Sequence, residues 1–159
     1  MQTTAVAASE QKGGAFYAIL WGGLIAGTLD LTYIISFYAL RGVGFQTIPH
    51  AIASGLLGVK SFDGGWPTAI LGIALEYLIT FVATLVYYIA SRKLTFLVGN
   101  AVLWGVLYGV AIYFFMHYIV VPLSAAPKFQ HTLITVAVDF IGHITVIGPP
   151  MALAVKKYS

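Results

Sequence analysis

The chain has 159 residues, 60% of them hydrophobic and 8% charged, with a formal net charge of +3 and no cysteine. Soluble domains carry about 25% charged residues, so this chain lacks the polar groups to cover its apolar surface in water, and its solvent must be lipid. The missing cysteine excludes disulfides, thiolate catalysis and zinc–thiolate sites. The basic residues flank apolar runs, which signals membrane orientation rather than nucleic-acid binding.

Residues 1–15 form the first segment, expected as a cytoplasmic tail ahead of a single transmembrane domain, 16–155, with a second tail at 156–159. A cleaved signal peptide is not expected: Glu10 and Lys12 carry opposite charges, and the apolar run that follows is too long for a signal h-region. That run, 16–40, is the first of four long enough to cross about 30 Å of hydrocarbon. It holds one formal charge, Asp30, within "GTLDLTYII", and the pair Gly23/Gly27, whose spacing lets helix backbones approach closely.

The connection 45–66 is too apolar for a free loop and too short to span. Ile48, Ile52, Leu56 and Val59 recur at helical spacing and Pro49 suits a first turn, so a short interfacial or re-entrant helix is predicted there, ending near Gly58. The second run, 67–90, carries Glu76. The third, 94–121, carries Gly105/Gly109 and His117. The fourth, 129–155, carries Asp139, His143 and the prolines of "GPPMAL", where the helix should kink. The fold class is therefore an all-α membrane protein, four transmembrane helices in a bundle plus the short helix. With four spans both termini share a side. Lys12, Arg92, Lys93, Lys156 and Lys157 lie on it against Arg41, Lys60 and Lys128 opposite, which predicts cytoplasmic termini.

Three of the five acids, Asp30, Glu76 and Asp139, thus lie inside apolar runs, each at a price of roughly 2.5–3.5 kcal/mol on insertion scales. Counted from the outer ends at ~1.5 Å per residue, all three fall at one level, ~13–15 Å deep. In each span the ionisable residue shares a stripe with small or polar residues: Tyr33 with Asp30, Thr80 with Glu76, Thr135 and His143 with Asp139. No Lys or Arg lies deep in any span, so the cluster must bind protons, hold a metal or sodium ion, or receive a cationic substrate. Asp30, Glu76, Asp139 and His143 are the candidate proton, cation or substrate site, with His117, Tyr33, Thr80, Thr135 and His50 secondary. His117 reads as an interfacial anchor, and the same count sets it about 15 Å from His143 along the axis. His50 reads as a solvated or lid residue. Were a metal bound, Glu76, Asp139 and His143 would be its ligands; the spacing of Asp139 and His143 places both on one helix face. No cofactor is indicated. Asp30 has a plainer reading, as a helix staple hydrogen-bonded to Thr28, Thr32 or Tyr33. The glycine pairs also offer faces for a homo-oligomer.

The stretches "AILWGGLIAGTLDLTY", "IASGLLG", "VYYIASRKL" and "YIVVPLSAAPKF" resemble an uncharacterised family of small bacterial integral membrane proteins, from Ala18 to Ala154, with a looser similarity to YagU-type membrane proteins. The resemblance implies a bacterial inner-membrane location. It implies histidine at position 76, where this chain departs with Glu76. Three readings follow: a small proton- or cation-linked transporter or channel-like protein, a metal-dependent membrane enzyme or redox subunit, and an accessory subunit of a membrane complex.

Overall fold

The computed structural model describes residues 2–130 and 132–159, with side chains from Gly14 onward. Four helical spans are long and apolar enough to cross a membrane, Gly14–Ala39, Gly65–Lys93, Ala101–Leu123 and Leu133–Tyr158, the pattern of a multi-pass membrane protein. In chain order, α1 (Gln2–Ala39) is followed by α2 (Thr47–Leu57), a 3₁₀ turn (Gly58–Asp63), α3 (Gly65–Lys93) and the short α4 (Phe96–Gly99). The third span joins α5 (Ala101–Phe115) through a π-helical turn (Met116–Val120) to α6 (Val121–Leu123). The fourth joins α7 (Leu133–Gly142) through a second π-helical turn (His143–Ile147) to α8 (Gly148–Tyr158).

Two boundaries lie four or more residues from the ends of the apolar runs, and side-chain capping explains both. The third span starts at Ala101 rather than Leu94, because Asn100 leaves helical geometry and its side chain accepts the Leu103 N–H at 3.3 Å. The fourth starts at Leu133 rather than Phe129. There Thr132 is extended, accepts the Thr135 N–H at 3.2 Å, and has its own N–H taken by the Thr135 hydroxyl at 2.9 Å.

Packing is the reverse of a soluble core. Large apolar side chains such as Leu29, Ile70, Leu78, Phe114 and Ile141 face outward, while Ala26, Gly72, Thr80, Thr84, Gly105 and Gly109 are buried. Against lipid there is no hydrophobic gain in hiding leucine, so close backbone approach and internal hydrogen bonds hold the helices instead. α1 packs on α3 and α8, and α5 on α8. A methyl at Gly23 would strike the Phe81 ring and one at Gly27 would crowd Tyr77 and Thr80. On the third span, Gly105 faces Pro149 and Ala152, and Gly109 faces the His143 carbonyl. The glycine stripes read as oligomer faces are therefore filled from within the chain. Hydroxyls add cross-links: Thr28 pairs with Tyr77 at 2.9 Å, Thr80 donates to the Gly23 carbonyl at 3.0 Å, and Tyr108 to that of Ala83 at 2.7 Å.

α2 buries Pro49, His50, Ala53 and Ser54, and leaves Leu56 and Val59 of the expected apolar stripe exposed. Its inner face is the small and polar one because α3 comes close: a methyl at Gly72 would collide with the Pro49 carbonyl. Gly58, at φ 62°, ends the helix, and the Gly55 carbonyl accepts from the Ala125 N–H at 2.9 Å, tying α2 to the loop between the third and fourth spans. At the other end of the molecule, Tyr17 lies 5.9 Å from Tyr158 and Lys156 Nζ donates to the Gly99 carbonyl at 3.3 Å, so the last helix ends beside α1 and α4.

Candidate functional site

Prolines on two spans prepare the site. A proline within a helix donates no N–H and presses its ring on the carbonyl four residues back. Pro122 follows the first π-helical turn and Pro149/Pro150 the second. In each turn the ladder widens by one residue: the Val121 N–H bonds to the Met116 carbonyl, and the Gly148 N–H to that of His143, five residues back. The expected kink at "GPPMAL" takes this form. His117 is the second residue of the first wide turn and His143 the first residue of the second.

Asp139 joins the two imidazoles. Its Oδ2 lies 2.9 Å from His117 Nε2 and its Oδ1 3.4 Å from His143 Nδ1. His143 Nδ1 also meets the Asp139 backbone carbonyl at 2.9 Å, and with acceptors alone around it this nitrogen must carry its hydrogen. His117 is constrained on both sides. Its Nδ1 faces the Tyr113 carbonyl at 3.0 Å and therefore donates, while Nε2 faces a carboxyl oxygen. One proton must lie between His117 Nε2 and Asp139 Oδ2, whether the pair is written as imidazolium and carboxylate or as imidazole and carboxylic acid. Tyr113 stacks on His117 at 4.3 Å and meets His143 edge-on at 5.4 Å, fixing both rings.

Both histidines line a cavity of about 130 Å³. Asp30 from α1 and Glu76 and Thr80 from α3 line it too, against walls of Ile79, Ile112, Met116, Ile147 and Met151. Asp30 also approaches α7 where Gly142 leaves room for it. The staple reading of Asp30 lacks its partners: Thr28 is engaged with Tyr77, the Thr32 hydroxyl donates to the Thr28 carbonyl at 2.6 Å, and Tyr33 donates to that of Val138 at 2.9 Å. Glu76 is 8% exposed, faces the cavity, and makes no hydrogen bond or ion pair among the described residues.

The structure thus brings Asp30, Glu76, Thr80, His117 and His143 to one cavity, with Asp139 behind the imidazoles. Tyr33 braces α7 beside it. Thr135 is not there: the i+4 spacing that aligns it with Asp139 is overridden at the helix start, where it caps. His50 is not there either, and it is buried rather than solvated, its Nε2 2.9 Å from the Gly65 carbonyl and its ring against Phe62. His117 is no outlying anchor, since its ring centre lies 6.2 Å from that of His143. Residues 129–132 precede α7 and the third span runs to Leu123, which reduces the axial offset of the two histidines to ~6 Å. A proline five or six residues after each histidine is the sequence signal for this pairing. No three of the described His, Asp and Glu side chains converge as a metal-holding group.

Comparison with protein-family models, with curated proteins and with solved structures returns no match to this chain.

Proposed function

We propose that this is a small proton- or cation-linked transporter or channel-like protein of the bacterial inner membrane. The four spans form a transmembrane bundle with both termini cytoplasmic and α2 at the outer interface. One observation carries the reading. The carboxyl groups of Asp30 and Glu76 share a cavity with two imidazoles and no lysine or arginine. A carboxyl group in that setting is neutralised either by a proton or by a cation that enters. The apolar outward face of α2 suits lipid contact, and the excess of lysine and arginine at the end bearing the termini supports their orientation.

Topology is tested with single cysteines, which report cleanly in a chain that has none. Cysteines at Asp63 and Ser159, both exposed, should label from opposite faces of the membrane, Asp63 from outside; labelling from one face rejects the arrangement.

Function is tested in proteoliposomes loaded with a pH dye. Wild type should pass protons, alone or with a cation, while Asp30→Asn and Glu76→Gln should fall to the level of protein-free vesicles and still fold. If wild type carries no such flux and the substitutions change only the melting temperature, the acids serve packing, and the accessory-subunit reading replaces this one.

A further inference from the structure

The cavity has a size and a wall chemistry that narrow the cation. At ~30 Å³ per water, about 130 Å³ holds roughly four waters, or a ligand of about four or five heavy atoms. A proton needs no such room. Magnesium and calcium need about six to eight oxygen ligands, and the side chains lining this cavity offer oxygens only from Asp30, Glu76 and Thr80. Isoleucine and methionine form most of the remaining wall, so an alkali ion would meet hydrocarbon over much of its sphere. A primary ammonium group has different requirements: three N–H donors and no acceptor. Against it stand a carboxyl on α1 and another on α3. The latter, Glu76, is more than nine-tenths buried and unpartnered. His143 uses Nδ1 on Asp139, so in its neutral form the ring offers the Nε2 lone pair as a further acceptor on the cavity's side chains.

We propose that the cavity binds a small primary alkylammonium, its head on Asp30 and Glu76 and a chain of about two to four carbons against Ile79, Ile112, Ile147 and Met151. This rests on reading the cavity as a cation site and names the class of cation. A short alkyl body belongs to the proposal because the wall away from the acids is mostly isoleucine and methionine, and His117, which also lines it, has both ring nitrogens engaged with Tyr113 and Asp139. A neutral ligand would leave a buried carboxylate uncompensated. Ala83 also lines the cavity and is its smallest side chain, so it sets the length that fits.

The test is calorimetric titration of the purified full-length protein in detergent with methyl-, ethyl-, propyl- and hexylammonium, sodium, potassium and 1-propanol, at constant ionic strength. Affinity should rise about fourfold for each methylene from methyl to propyl, the value of one buried methylene, and be lost at hexyl. Propanol should not bind. Glu76→Gln should abolish binding, and Ala83→Val should keep methylammonium while losing propylammonium, which shows that it folds and that length is read at that wall. Sodium or potassium binding without any chain-length series overturns the proposal, as does hexylammonium binding as well as propylammonium, the behaviour of partition into the detergent. Proton flux in vesicles without amine binding overturns this inference and leaves the transporter reading standing. Amine binding without flux has the opposite effect.

Discussion

Substituting Gly109 by valine should lower the unfolding free energy by more than about 3 kcal/mol, beyond the ordinary overpacking penalty of about 1–3 kcal/mol. The added atoms would occupy the position of the His143 carbonyl oxygen and carbon. Those are backbone atoms, so no rotamer change can make room, and α5 must move away from the fourth span. The same contact fixes the start of the second wide turn, so the imidazole of His117, on the third span, would leave Asp139 as the helices part. Thermal melts in detergent measure the loss. Gly109→Ala adds the same Cβ against the same backbone carbonyl and should itself be clearly destabilising, though less than valine, and a Gly109→Val protein melting with wild type would show that the helices do not approach here. Gly148 meets the Gly105 carbonyl in the same interface, and the two sites should couple in a double-mutant cycle.

The second large effect is at Asp139, where two substitutions should separate stability from protonation. Asp139→Ala removes the carboxyl partner of His117 and leaves His143 Nδ1 only the backbone carbonyl of residue 139, and it should cost about 1.5–3 kcal/mol, the range for a hydrogen bond to a charged group. Asp139→Asn should be nearly silent in stability. Its amide oxygen can replace Oδ1 toward the His143 Nδ1–H, and its amide nitrogen can replace Oδ2 by donating to His117 Nε2, provided that nitrogen gives up its hydrogen. The substitution then removes the one shared proton and leaves the frame. Nitrogen-15 spectra of the histidines provide the readout: in Asp139→Asn the His117 Nε2 signal should become that of an unprotonated nitrogen while His143 keeps its Nδ1–H form. An unchanged His117 signal would mean that Asp139 and His117 do not share a proton.

Much of this was legible in the residues themselves. The four spans follow from the length of the apolar runs, and Asp30, Glu76, Asp139 and His143 stand out because any ionisable group in such runs is costly. The errors have local causes. Asn100 and Thr132 start helices with their side chains, a signal that hydropathy averages away. Periodicity puts Thr135 on the fourth span's inner stripe, although a threonine three residues after an N-cap has a better use. The apolar repeat of the second helix does not say which face packs: Leu56 and Val59 are exposed, and Pro49, His50, Ala53 and Ser54 are buried. The position of His117 is out of reach of hydropathy because the described residues between Leu123 and Leu133 count as apolar chain but do not advance as helix.

The two wide turns have a consequence for how the chain tolerates deletion. Removing a residue from an ordinary stretch of α-helix rotates everything beyond it by about 100°, and in spans that pack through single glycines such a rotation is ruinous. A π-helical turn already holds one residue more than its neighbours need. Deleting Ile119 or Val146 would close the turn to α-helical width and leave the segments on either side facing as they do now. Pro122 and Pro149 would then bear on the preceding carbonyls, and the imidazoles would lose the opened backbone that presents them. At these two places, unlike elsewhere in the spans, chain length can be separated from helix register. The packing of the four spans has no need of the two surplus residues, whereas the meeting of His117 and His143 over Asp139 depends on them.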